Sequence, residues 1–162
     1  MSPETWESFF LGEVGAAAAL GGLLFVAVSI NVAKIIEVPG LADRALQSLL
    51  ILLSLLTIAA LMLLPQQSPL AMGIETVAVV AVTMVGGTLL GFRGLRRSEA
   101  AHRGHFLWSI VSFEVVFLVC LVGGVILFAG DPVGLYWLAI GMCLGLVKAV
   151  SDAWIFLVEI NR

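Results

Sequence analysis

The chain has 162 residues, 61% of them hydrophobic and only 12% charged, with a mean hydropathy of +1.14. A soluble domain averages about 25% charged residues, and so short a chain has too little interior to hide this apolar excess, so the surrounding solvent is lipid. The formal charge of -3 argues against a nucleic-acid partner.

In chain order, five apolar stretches are long enough to cross ~30 Å of hydrocarbon at ~1.5 Å per residue. They cover about 9–36, 45–64, 70–92, 106–129 and 134–160. The N-terminal "MSPETWESFF" is acidic where a cleavable signal would be basic, so the first stretch reads as a span. Strands are excluded because open strands leave unpaired backbone groups in lipid and the alternation of a barrel strand is missing. The expected fold class is therefore all-α: one polytopic transmembrane bundle over residues 1–162 with no extramembrane domain.

The punctuation agrees. Ser2-Pro3, Ser68-Pro69 and Asp131-Pro132 each offer an N-cap followed by proline, before spans one, three and five. Pro39-Gly40 closes the first span, Asp43 is placed to cap the second, and Pro65 closes it. The short connections "PQQSP" and "GDPV" make sequential helices antiparallel neighbours.

Basic residues set the orientation. Lys34 and Arg44 flank the first connection, Arg93, Arg96, Arg97 and Arg103 crowd the third, and Arg162 ends the chain. Every basic residue but Lys148 falls on one side, which places the N-terminus outside and the C-terminus in the cytoplasm. Trp6, Phe9, Phe128, Tyr136 and Trp137 mark the outer interface; Phe92, Phe106, Trp108 and Trp154 mark the inner one. The four loop arginines are the candidates for contact with anionic lipid headgroups.

The fifth span carries Lys148, Asp152 and Glu159. With Gly134, Gly141 and Gly145 they fall within about 40° of one line along a helix. Small residues let helices approach closely and ionisable residues avoid lipid, so both preferences turn this stripe inward. On the first span Glu13 and Asn31 share a line with Lys34 nearby, and Gly15, Ala18 and Gly22 lie opposite. Two specialised faces place this helix in the interior of an assembly. The third span adds Glu75 and the Gly87-x-x-x-Gly91 pair, and the fourth adds Glu114. The second, with only Gln47, Ser54 and Thr57, reads as peripheral.

Lys148 and Asp152 are spaced to pair within their helix. Glu114 then needs Lys148 or Lys34 as a partner, or else is protonated. These groups have three readings: an ion-pair clasp, a polar path for ions or protons, or a dock for another protein's helix. Glu13 and Glu75 either line an outer mouth or reach the interface and are hydrated. Cys120 and Cys143 have no C-x-x-C spacing and read as packing residues. Glu99, His102 and His105 have metal-ligand chemistry, but their spacing spreads them around a helix, so no metal is expected. No nucleophile–base set points to an enzyme, and no cofactor is implied.

"FFLGEVGAAAALGGLLFVAVSINVAKI", residues 9–35, and the following "VPGLADRAL" resemble the opening of a family of small bacterial multi-span membrane proteins. Some of these carry the label of membrane-protease modulators. The resemblance implies a bacterial cytoplasmic (inner) membrane and assigns no residues. Together these features lead to an expected homo-oligomer that conducts or translocates ions, leaning towards cations. The alternative is a non-catalytic regulatory subunit that docks another membrane protein.

Overall fold

The computed structural model describes residues 3–97 and 103–160. Six helices make up the secondary structure among the described residues: α1 (Pro3–Ile30), α2 (Val32–Glu37), α3 (Leu41–Met62), α4 (Pro69–Arg97), α5 (Arg103–Phe128) and α6 (Gly134–Ile160). All but α2 are long and apolar enough to cross a membrane. The first apolar stretch is thus two helices rather than one. At Asn31 the backbone N–H and the side-chain Nδ2 both donate to the Ala27 carbonyl, at 3.3 and 2.9 Å. The side chain competes with the ladder, and the backbone leaves helical geometry there.

The turns follow from their residues. Gly40 sits at φ 84°, a left-handed conformation that suits glycine, and it occupies the N-cap of α3. Asp43 therefore lies in the first turn of α3 instead of capping it, where its charge still favours the helix N-terminus. Ser68 accepts from the Ala71 N–H at 3.2 Å and starts α4 as a cap. Asp131 accepts from the Val133 N–H at 2.9 Å, so Pro132 belongs to the turn and α6 begins at Gly134.

α3, α4, α5 and α6 pack in sequence, and α6 returns to α3, closing a four-helix bundle. Phe113 and Phe117 of α5, Ile51, Leu55 and Ile58 of α3, and Leu138 and Met142 of α6 fill its centre. α1 lies outside, against α3 and more lightly against α6. This reverses one expectation: α3, read as peripheral, is the most enclosed span, and within the single chain α1 is the least. The reason is physical: an apolar helix suits lipid and protein equally, so its composition does not say which one it faces. Four polar groups of α3, Arg44, Gln47, Ser48 and Ser54, are buried, while Asp43 and Thr57 are half-buried.

Glycines set the closest helix approaches. A Cβ on Gly123 of α5 would lie 2.8 Å from the Leu138 nitrogen, and one on Gly134 would lie 2.5 Å from the Gly123 carbonyl oxygen. Gly141 packs on Cys120 and Gly145 on Leu55; Gly87 packs on Phe113 and Gly91 on Ile110. On α1, by contrast, nothing lies within 4 Å of a Cβ built on Gly15 or Gly22, and Ala18 is exposed. Gly123→Ala is expected to cost about 1–3 kcal/mol by overpacking, whereas Gly15→Ala should be neutral or stabilising by up to ~1 kcal/mol from helix propensity. Unfolding midpoints of the two variants in one detergent check both outcomes.

Candidate functional site

The buried polar groups sit at two depths. One face of the bundle holds the start of α1, the α3–α4 turn and the start of α6, which meet around a recess of about 710 Å³ lined by Trp6, Glu7, Phe10, Gln66, Gln67 and Pro132 among others. This is the N-terminal face. The opposite, C-terminal face holds the ends of α1 and α6 and the start of α3.

Towards the C-terminal face, Lys148 and Asp152 of α6 pair directly within the helix. Lys148 also donates to Ser109 Oγ of α5 at 3.2 Å. Arg44 of α3 places Nη2 3.9 Å from the other Asp152 oxygen. All four side chains are buried. One carboxylate thus ties α6 to α3, and its lysine ties α6 to α5. Burying such charges costs several kcal/mol per ion unless each is compensated, and here they compensate one another. Nearby, Gln47 of α3 donates to the Gly87 carbonyl of α4 at 3.2 Å, and Ser54 meets Thr83 at 2.7 Å.

The second depth holds Glu13. It lies on the buried face of α1 with Phe10, Ala17 and Leu24, and is only 6% exposed. Its Oε1 receives the Cys143 thiol of α6 at 3.8 Å, and its Oε2 is buried with no hydrogen-bond partner. At ~1.5 Å per residue Cys143 lies roughly 13 Å along α6 from Gly134, and Lys148 roughly 21 Å. Glu13 is therefore buried on the inward face of α1, level with a point about a third of the way along α6, and is not an open hydrated group. Phe10, one turn before it, lines the recess on the N-terminal face.

The other anticipated residues disperse. Asn31 bonds its own helix and is only half-buried, so it forms no continuous polar line with Glu13. Lys34 is exposed on α2. Glu75 accepts from Gln67 Nε2 at 2.7 Å near the N-terminal face. Glu114 is bound by the Thr88 hydroxyl of α4, and neither Lys148 nor Lys34 is its partner, because Lys148 is turned to Asp152 and Ser109. Gly134, Gly141, Gly145, Lys148 and Asp152 are all buried along α6. Arg93 and Arg96 are exposed at the C-terminal face. The side chains of Arg97, Arg103, His105 and Glu159, and residues Glu99 and His102 altogether, lie outside the described residues. Among the described residues no three His, Cys, Asp or Glu side chains converge as metal ligands.

Sequence reasoning missed three members. Arg44 read as a flanking charge, yet it shares a helical face with Gln47, Ser48, Ile51 and Leu55, a spacing that signals burial. Ser109 and Cys143 carried no signal, since a lone serine or cysteine in an apolar helix ordinarily bonds or packs locally. No known family, curated protein or solved structure matches the chain.

Lys148→Met should lower stability by about 3–5 kcal/mol, because Asp152 loses its closest counter-charge while remaining buried. Lys148→Met/Asp152→Leu should recover only part of that loss, because buried Arg44 then loses its Asp152 contact. Equilibrium unfolding of the single and double variants in detergent measures the coupling.

Proposed function

We propose that this is a multi-pass protein of the bacterial cytoplasmic membrane, N-terminus outside and C-terminus in the cytoplasm, that translocates protons or small cations through a site at Glu13. The observation that carries the reading is the deeply buried Glu13 carboxylate whose Oε2 has no hydrogen-bond partner. An ionised carboxylate at the bilayer centre costs roughly 2.5–3.5 kcal/mol, so intramembrane acids are kept where they do something. The Lys148–Asp152–Arg44 group is compensated within the bundle and is sufficiently explained as a clasp. Glu13 has only a thiol beside it, and a bound proton or cation would supply the missing compensation.

The recess on the N-terminal face supports access from one side, with Phe10 between it and Glu13. Towards the other face, Leu24, Leu52, Leu55 and Ala149 pack the interior. Release there requires helices to move, which favours a carrier-like cycle over an open pore. α1 is the least enclosed span and carries the acid, so it is the element suited to shift.

A second reading is favoured by the open Gly15, Ala18 and Gly22 face of α1: a regulatory subunit that docks another membrane protein, or a second copy of itself, through close helix contact.

In liposomes of the purified protein, proton or cation flux should exceed that of empty vesicles. Glu13→Gln should reduce it at least about tenfold, a loss of ~1.4 kcal/mol or more, while leaving the unfolding midpoint close to wild type. Flux equal to empty vesicles, with a stoichiometric co-purifying membrane protein, would overturn translocation in favour of docking.

A further inference from the structure

Between α5 and α6, towards the C-terminal face, runs an open groove of about 400 Å³ that the translocation reading does not use. Its origin is legible in the helices. The glycines that bring α5 and α6 together, Gly123 against Gly134 and Gly141 against Cys120, lie in the half nearer the N-terminal face. In the other half the facing positions carry full side chains, Trp108, Ser112 and Val115 on α5 and Leu144, Val147 and Ser151 on α6, and a groove remains between them.

The groove has two chemistries. Val111, Val115, Leu144 and Val147 form its walls, and all four are exposed on the outside of the bundle, where acyl chains would lie. Arg44, Lys148, Asp152 and Ser109 line its depth, each at least nine-tenths buried. The charged residues lining it are two cations and one carboxylate, so the field at its polar end favours an anion. Trp108, 73% exposed, stands at the groove's edge near the C-terminal face, the kind of side chain that sits at headgroup level. The exposed Arg93 and Arg96 give the same face of the molecule further positive charge.

An apolar trough opening to lipid and ending on buried cations fits a molecule that is itself apolar along its length and anionic at one end. We infer that this groove is a binding site for one anionic phospholipid. One acyl chain lies along Val111, Val115, Leu144 and Val147, and the phosphate is drawn to Lys148 and Arg44. A zwitterionic lipid would fill the walls equally but gain less at the cationic end. A free phosphate would meet the cations but forgo the walls.

The test is native mass spectrometry of detergent-purified, delipidated protein titrated separately with phosphatidylglycerol, phosphatidylcholine and glycerol phosphate. One phosphatidylglycerol per chain should bind, at least about tenfold tighter than phosphatidylcholine, the factor expected for one added charge-assisted contact. Val147→Trp fills the trough from a lipid-facing position and should abolish this binding while keeping the wild-type unfolding midpoint. Lys148→Met should weaken it about tenfold, and should Lys148→Met fail to fold, Val147→Trp decides alone. Equal binding of the two lipids, binding unchanged by Val147→Trp, or full competition by glycerol phosphate would each overturn the assignment. Ion flux plays no part in these readouts, so the site stands or falls independently of Glu13.

Discussion

Between helices in hydrocarbon the hydrophobic effect gives no net attraction, because a leucine loses nothing by facing an acyl chain instead of another leucine. What holds this bundle together must therefore be close contact and polar pairing. Both occur together on α6. Its small residues Gly134 and Gly141 meet the backbone of α5, and Gly145 meets the Leu55 side chain of α3. One to two turns further on, Asp152 binds Lys148 on its own helix and lies against Arg44 of α3, and Lys148 reaches Ser109 of α5. A single helix face thus carries both the steric fit and the charge compensation that lock three spans into one arrangement.

The same logic separates structural ionisable groups from others. A buried charge that is answered within the bundle needs no further explanation. Asp152 is answered twice, Glu114 by Thr88 and Glu75 by Gln67. Glu13 has one oxygen on a thiol and one on nothing. It also lies on the one long helix outside the four-helix bundle. On the proposed reading, this acid on the least enclosed span is the group that binds the cation and moves with it. Between the rigid α5–α6 pair, meanwhile, the change from glycine to full side chains leaves a trough that ends on cations.

Much of the architecture was legible in the residues. Five spans, their turns at proline and glycine, and the alignment of small and titratable residues along α6 follow from hydropathy and helical periodicity, which are local quantities. The neighbours of each residue were less legible. The break at Asn31 lies where a side chain shares the Ala27 carbonyl with the backbone ladder. Arg44 looked like a loop charge because it stands one turn inside α3, too close to the end for composition to show it buried. Glu13 looked shallow when counted from Trp6, yet the packing sets it beside Cys143, about a third of the way along α6.

The sequence by itself determined that the chain is helical, that five helices are long and apolar enough for a membrane, and which face of α6 is distinctive. Only the tertiary structure decided that α3 is central and α1 outermost, that Asp152 belongs to Arg44 as well as Lys148, and that one Glu13 oxygen is buried without a hydrogen-bond partner. The reason is that apolar helices carry no label for lipid or protein. Their order is set by a few glycine and polar contacts between residues far apart in the chain, and no periodicity within one helix records them.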